Sequence, residues 1–279
     1  MMYSASFVPY TLLFKKPAKT SRNELAEHQV YYLKLTRLMD GKVGYGEAAP
    51  LKGLSIDDVP HFEQQLQFVC DNLHLGWQNL YEDLIAFPSL QFALETAIYS
   101  LQNEDSFLLF KSNFTDGNSA IPINGLIWMN DKETMLKEAL EKASQGFNTI
   151  KFKVGALDFD DECRMLEAFR KQYNAFKITI RLDANGAFNG DDAAEKLREL
   201  ARFDIHSIEQ PIKPKQWDLM EMLCATSKIP IALDEELIGV SVSNHGKELL
   251  QKIKPKYIIL KPTLIGGLRN SDPWIKLAE

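Results

Sequence analysis

Three acidic residues recur at nearly equal intervals, and a lysine stands one interval before and one interval after them. The acids are Asp183, Glu209 and Asp234, the lysines are Lys153 and Lys261, and each of the five ends a short apolar segment. The intervals are about 25–30 residues, the length of a β-strand with its crossover helix and two loops. The spacing therefore predicts one β/α unit per charged residue, with the five charges at equivalent strand ends.

The carboxylates are candidate metal ligands. The carboxyl ends of parallel strands carry the chemistry of β/α barrels. Carboxylates are hard oxygen donors, and Mg²⁺ accepts them in near-octahedral geometry while keeping positions for water or substrate. Any one acid alone could equally cap a helix or form an ion pair at a strand end. Three at one interval favour a metal, so we predict a Mg²⁺ site on Asp183, Glu209 and Asp234, with Mn²⁺ as the alternative ion.

The lysines are candidate acid–base groups. Lys151 and Lys153 alternate along one strand and so share a face, where the alternative is a pair of surface lysines. Burying an ammonium group is costly unless a partner or a reaction uses it. A lysine buried beside a metal cation has a depressed pKa, which suits a general base near neutral pH. Lys261 would put a cation on the other side of the metal, unless it merely neutralises a carboxylate.

Neighbouring polar residues are secondary candidates. Asn185 lies on the same strand face as Asp183, and we expect it to support that carboxylate. Glu235 and Glu236 follow Asp234 directly, and either a lysine partner or the start of a helix would explain them.

The first part of the chain has strands followed by helices, which indicates a small α+β domain over residues 1–110. Asp40-Gly41 predicts a hairpin turn, Ser55 a helix N-cap, and Lys111–Ser119 a linker. The predicted strands are Tyr3–Phe14, His28–Thr36 and Lys42–Glu47, and the predicted helices are Ile56–Leu73 and Ser89–Leu101.

Residues 120–279 alternate between strand and helix patterns, which predicts parallel strands with helices outside. Six strands are expected, the first at Ile121–Asn124 and the others ending near the charged residues. A closed barrel of this type has eight strands and occupies about 250 residues. We therefore expect a (β/α) barrel that is incomplete at its C-terminal end, with unpaired edges at its first and sixth strands.

Composition excludes several classes of function. The formal net charge is −6 and no basic run is present, which argues against binding to nucleic acid or to an anionic membrane. No segment approaches the roughly 18 apolar residues of a membrane span, and the N-terminus does not resemble a signal peptide. Cys70, Cys163 and Cys224 are far apart and odd in number, so we expect reduced thiols and a cytoplasmic protein.

Five motifs together resemble the enolase superfamily, in particular its muconate-lactonizing subgroup. They stand in order at matching spacing over essentially the whole chain. The motifs are Lys151-Phe152-Lys153, Arg181-Leu182-Asp183-Ala184-Asn185, Ile208-Glu209-Gln210-Pro211, Ala232-Leu233-Asp234-Glu235 and Leu260-Lys261-Pro262-Thr263. This resemblance implies an N-terminal domain that caps the barrel, with capping loops near Lys15–Glu24 and Pro50–Ser55.

Two further runs, Gly46–Leu51 and Lys261–Gly267, resemble the o-succinylbenzoate synthase family of menaquinone synthesis. That resemblance implies a lyase acting on a small carboxylate, 2-succinyl-6-hydroxy-2,4-cyclohexadiene-1-carboxylate, through an enediolate intermediate. It makes Lys153 the base, Lys261 the cation that holds the intermediate, and Lys151 the group that keeps Lys153 deprotonated. Two alternatives stay open, namely a racemase or dipeptide epimerase of the same superfamily and a shortened barrel without catalysis.

Overall fold

The computed structural model describes residues 2–19 and 24–279. Its first unit is an antiparallel three-stranded sheet covered by helices. The sheet has the order β1 (Tyr3–Lys19), β2 (Glu24–Arg37) and β3 (Val43–Ala48). The helices are α1 (Phe62–Asn72), α2 (Trp77–Asp83) and α3 (Pro88–Gln102).

Alternation along β2 determines which face of this sheet is covered. Tyr31, Leu33 and Leu35 are buried in one apolar cluster with residues of the three helices, whereas Tyr32 between them is 40% exposed. Side chains of a strand point alternately to its two faces. One face of the sheet therefore carries the helices and the other faces solvent.

The start of the first helix differs from the prediction. The helix begins at Phe62, and Ser55 does not cap it, because the Ser55 hydroxyl accepts a hydrogen bond of 2.7 Å from the amide of Leu51. Pro60 explains the late start, since a proline disfavours helical geometry at the residue before it. The side chain of Asp57 is also engaged elsewhere, where it accepts hydrogen bonds from the amide and the hydroxyl of Ser89. Helix α2 was not predicted.

The second unit is a parallel six-stranded sheet in sequential order. Its strands are β4 (Gly125–Ile127), β5 (Thr149–Lys153), β6 (Thr179–Asp183), β7 (Ile205–Glu209), β8 (Ile231–Leu233) and β9 (Tyr257–Ile258). Its helices are α4 (Lys132–Ser144), α5 (Phe159–Gln172), α6 (Ala193–Leu200), α7 (Trp217–Thr226), α8 (Lys247–Ile253), α9 (Pro262–Ile265) and α10 (Leu268–Ala278).

The predicted first strand of this sheet was wrong in position. Residues 121–124 are irregular, and β4 begins at Gly125, which pairs with Ile150 of β5. Ile121 and Ile123 are 58% and 72% exposed. Strand β5 begins at Thr149, so in this register residues 121–123 extend past the part of β5 with which they could form a ladder. An apolar run alone does not reveal where its partner strand begins.

The predicted architecture is confirmed as an N-terminal α+β unit joined to a partial (β/α) barrel. Among residues 2–19 and 24–279, β4 and β9 each pair on one side only, so the parallel sheet does not close on itself. Separate apolar clusters lie in the two units. The division at residues 1–110 and 120–279 stays a prediction. Within the described residues, no helix combines the length and the apolar character needed to cross a bilayer.

Candidate functional site

Strand register places the first three charged residues side by side. Lys153 of β5 pairs with Asp183 of β6, and Asp183 pairs with Glu209 of β7. Asp234 follows β8 at the same edge of the sheet, two residues beyond Ala232, the partner of Glu209. The equal intervals in the sequence thus correspond to one row of side chains across the ends of neighbouring strands.

The three carboxylates converge on one point. Asp183, Glu209 and Asp234 each offer an oxygen, and these oxygens lie within 4.8 Å of one another. The residues are only 1%, 4% and 2% exposed. Ligands on opposite sides of a Mg²⁺ ion at about 2.1 Å lie about 4.2 Å apart. The spread of the oxygens fits such an ion after small side-chain movements.

The lysines surround this acidic cluster. Lys153 donates to Asp183 at 2.6 Å, and Lys151 contacts the same Asp183 oxygen at 2.9 Å and also donates to Glu209. Lys261 donates to Asp234 from the far side. Since β5 and β9 lie on either side of the strands that carry the acids, the lysines flank the cluster.

Burial, mutual repulsion and the nearby lysines shift the pKa values of the three carboxyl groups. Burial would raise the pKa of Asp183, but the ammonium groups of Lys153 and Lys151 outweigh it and lower that pKa to about 2. Burial raises the pKa of Glu209 to about 7, and repulsion from Asp183 adds to it against the attraction of Lys151. Burial also raises the pKa of Asp234. Three buried acids in one place repel one another, and a divalent cation bound between them would relieve that repulsion.

Lys151 is held as a cation. Burial opposes its charge, but the carboxylates of Asp183 and Glu209 outweigh this effect and raise its pKa. Its ammonium group shares an Asp183 oxygen with that of Lys153. Lys151 therefore places a fixed positive charge close to Lys153.

Polar side chains around the cluster contact the lysines and the acids and orient them. The side-chain oxygen of Asn185 accepts from Lys153 at 2.8 Å, and its amide donates to Glu235 at 2.9 Å. The backbone amide of Asn185 donates to Asp183 at 3.1 Å, at a positive φ of 46°. Asn185 therefore contacts both Lys153 and Asp183, as well as Glu235.

Gln210 is a buried residue that sequence reasoning did not single out. Its side-chain oxygen accepts from the amides of Asp234 and Glu236, each at 3.2 Å, and its amide group donates to Glu236 at 3.1 Å. Glu236 also accepts from the indole of Trp217 at 2.9 Å. Gln210 thus ties the end of β7 to the segment that carries Asp234. Two signals in the sequence mark it, namely its place directly after a buried strand and its place in the Ile208-Glu209-Gln210-Pro211 motif.

Glu162 of α5 supports the loop that follows Lys153. Its carboxylate accepts from the amides of Gly155 at 2.6 Å and Leu157 at 3.3 Å, and the residue is 2% exposed. Burial raises its pKa to about 7, although these amide contacts act in the opposite direction. Its second carboxylate oxygen is buried without a hydrogen-bond partner among the described residues.

Replacing Glu162 with glutamine is expected to stabilise the protein at high pH only. The pKa of Glu162 in the folded protein, about 7, lies above the ordinary value of 4.5, so the folded state holds the proton more tightly than the unfolded chain does. Stability therefore falls as pH rises from about 4.5 to 7. Glutamine keeps the acceptor oxygen and cannot ionise. We expect a gain of about 1–3 kcal/mol in urea unfolding at pH 8 that disappears near pH 4.5.

The matched control is Glu167→Gln on the same helix, whose side chain is 56% exposed and pairs with Lys171 at 3.1 Å. It should change stability little at either pH. An equal gain from Glu162→Gln at both pH values would contradict the assigned ionisation.

The predicted capping loops lie in the first unit. Residues 20–23 of the Lys15–Glu24 loop are outside the described residues, and the flanking residues continue β1 and β2. In the Pro50–Ser55 segment, Pro50 and Lys52 line a cavity together with His28 and Tyr31 of β2. The role of both segments as capping loops stays a prediction.

Comparison with known proteins agrees with this geometry. The model of the enolase C-terminal domain-like family matches residues 134–279. The o-succinylbenzoate synthase of Desulfotalea psychrophila is 37% identical over 96% of this chain and 80% of its own length. The crystal structure of MenC from that species superposes with a TM-score of 0.86 at 33% identity, over 99% of this chain and 83% of that one.

A crystal structure of o-succinylbenzoate synthase from Thermosynechococcus elongatus BP-1, complexed with Mg in the active site, is also similar. It is 25% identical to this chain and superposes with a TM-score of 0.78. The match covers 98% of this chain and 80% of the other chain.

Proposed function

Because this chain belongs to the enolase superfamily, and within it to the family of the Desulfotalea psychrophila o-succinylbenzoate synthase, we propose that it is a dehydratase. The proposed substrate is 2-succinyl-6-hydroxy-2,4-cyclohexadiene-1-carboxylate, and the product is o-succinylbenzoate. The reaction is a step of menaquinone biosynthesis. The enzyme is thus a carbon–oxygen lyase whose partner is a small carboxylate.

One observation carries this proposal, namely the lysines on both sides of a buried tricarboxylate cluster. Lys153 contacts Asp183 from one side and Lys261 contacts Asp234 from the other. A substrate carboxylate placed above the cluster would have a basic group on either face of its α-carbon. This arrangement suits removal of a weakly acidic α-proton.

We propose that Asp183, Glu209 and Asp234 hold Mg²⁺, with Mn²⁺ as the alternative. Their oxygen donor set, their burial and their mutual repulsion all favour a hard divalent cation. When bound, the ion supplies positive charge that stabilises a substrate carboxylate as negative charge develops on it.

The lysines carry the proton transfers. Neutral Lys153 takes the α-proton, and the electron pair of the broken C–H bond enters the carboxylate as an enediolate. Lys153 then returns that proton to the departing hydroxyl group, so that one water molecule leaves and an aromatic ring forms. Lys261 places a positive charge near the intermediate from the opposite face. Once a divalent cation occupies the carboxylates, its charge and that of Lys151 would together favour the uncharged form of Lys153 by repulsion.

The test uses the purified chain with Mg²⁺ and the cyclohexadiene substrate. We expect the diene absorbance to fall as an aromatic product appears, and we expect a chelator to stop the reaction. N-acylamino acids and dipeptides serve as alternative substrates in the same assay. Rapid racemisation or epimerisation of these compounds without dehydration would move the chain to the alternative activity.

The proposed place of the reaction is the cytoplasm. The three cysteines Cys70, Cys163 and Cys224 are free thiols, and thiols persist in reducing compartments.

A further inference from the structure

The turn after Lys261 determines where its backbone lies. The carbonyl of Lys261 accepts from the amides of Leu264 at 2.8 Å and Ile265 at 3.2 Å, so Lys261 is the N-cap residue of helix α9. The amide of Gly267 donates to the carbonyl of Pro262 at 2.7 Å. One short helix therefore connects the Gly266-Gly267 turn to Lys261.

Residues of the N-terminal unit hold this turn. The carboxylate of Glu95 on α3 accepts from the amides of Leu268 at 2.7 Å and Arg269 at 2.9 Å. The hydroxyl of Tyr81 on α2 donates to the carbonyl of Gly266. Glu95 is fully buried and Tyr81 is 1% exposed. A carboxylate from one unit thus caps the first turn of helix α10 in the other, where free amides and the helix dipole favour negative charge.

The two glycines permit this close approach. Gly266 and Gly267 have φ values of +91° and +96°, which disfavour any side chain. A Cβ atom on Gly266 would lie 2.2 Å from the side-chain oxygen of Gln91, and one on Gly267 would lie 2.3 Å from the carboxylate of Glu95. The backbone of the turn therefore lies in direct contact with side chains of helix α3.

Lys261 depends on such support more than the other lysines do. Its side chain is 39% exposed, against 16% for Lys151 and 12% for Lys153. Its ammonium group forms an ion pair with the carboxylate of Asp234. Packing around the side chain therefore restrains it less, and the position of its backbone matters more.

We infer that Glu95 is a positioning residue. From the N-terminal unit it fixes the segment that follows Lys261, and so it sets the position of Lys261 relative to the three carboxylates. This inference rests on the function proposed above. Packing alone does not require a carboxylate here, because burying one is costly and an apolar side chain would fill the space. Two directional hydrogen bonds, by contrast, define both the position and the direction of helix α10.

The test is Glu95→Gln, which keeps the volume but offers only one oxygen and opposes one amide with its own NH₂ group. A displacement of about 1 Å at a catalytic group can cost about 10²-fold in rate. We expect kcat to fall by about 10- to 100-fold, while KM for the substrate and the Kd for Mg²⁺ stay near their parent values. A fall in kcat without a change in Mg²⁺ binding separates positioning from general unfolding.

The matched control is Glu82→Gln on α2. Glu82 lies 3.3 Å from the Arg269 guanidinium, but it is 63% exposed and acts on the side chain, not on the backbone amides. We expect this variant to keep the parent kcat. A similar loss from both variants would assign the effect to the charge near Arg269 and overturn the role of Glu95.

Hydrogen–deuterium exchange supplies a second measurement that does not depend on enzyme activity. In Glu95→Gln, amides of residues 266–270 should exchange faster, whereas those of β5 to β8 should not. Unchanged exchange at residues 266–270, or a kcat within about twofold of the parent, would refute the inference. If the parent does not dehydrate the substrate, the proposed function fails, and the exchange measurement alone decides whether Glu95 holds the segment.

Discussion

Replacing Lys153 with alanine is expected to lower turnover by at least about 10²-fold, the low end for loss of an acid–base group. Lys153 contacts Asp183 at 2.6 Å and Asn185 at 2.8 Å, so it lies at the cluster with its amine oriented by two partners. Asp183 keeps its contact with Lys151 in the variant. We therefore expect Mg²⁺ binding, measured by calorimetry, to survive while the assay for aromatic product falls.

Two further variants separate the base from the charge. Lys153→Arg keeps a cation at the site, but a guanidinium does not lose its proton near neutral pH. If Lys153 acts as a base, arginine should be as inactive as alanine. Recovery of activity by arginine would assign Lys153 a purely electrostatic role. Lys137→Ala, on the outer face of α4 where the side chain is 78% exposed, should retain full activity.

Asp183→Asn is expected to weaken Mg²⁺ binding by at least about tenfold, since even groups that only orient a metal ligand cost about 10- to 100-fold when removed. The carboxylate of Asp183 also compensates the ammonium groups of Lys151 and Lys153. Removing one partner of a buried ion pair costs about 3–5 kcal/mol. We therefore expect dehydration to be lost and the metal-free protein to unfold at lower urea concentration.

The control for this variant is Asp218→Asn, which removes a carboxylate that is 94% exposed and pairs with Lys252 at 2.6 Å. A surface pair of this kind contributes about 0–1 kcal/mol, so stability and Mg²⁺ binding should be almost unchanged. Parent-like Mg²⁺ affinity in Asp183→Asn would show that the ion binds elsewhere.

The regular interval of the charged residues was sufficient to predict the parallel sheet and the edge at which the acids meet. Asp183 and Glu209 are register partners, as their equal placement at strand ends required. Alternation along β5 likewise predicted that Lys151 and Lys153 share a face, and both contact Asp183. Strand geometry is local and periodic, and local periodicity is visible in a sequence.

Local signals also located some element ends and missed others. Asp131 and Asp158 cap helices α4 and α5, because a short acidic side chain can accept a hydrogen bond from the first free amides of a helix. Ser55 offered the same signal and instead bonds back to Leu51. The residue type indicates that an acceptor is available for a helix amide. Which amide donates to it depends on the surrounding fold.

The sequence alone determined the class of fold, the identity of the acidic cluster and the lysines on either side of it. Only the tertiary structure decided which lysine contacts which acid, that Gln210 accepts from the amide of Asp234, and that Asn185, which was expected to support Asp183, also contacts Lys153. It also decided that Glu95 reaches the amide of Leu268. The physical reason is that periodic patterns follow from the backbone of one element, whereas contacts between distant elements depend on how complete elements pack together.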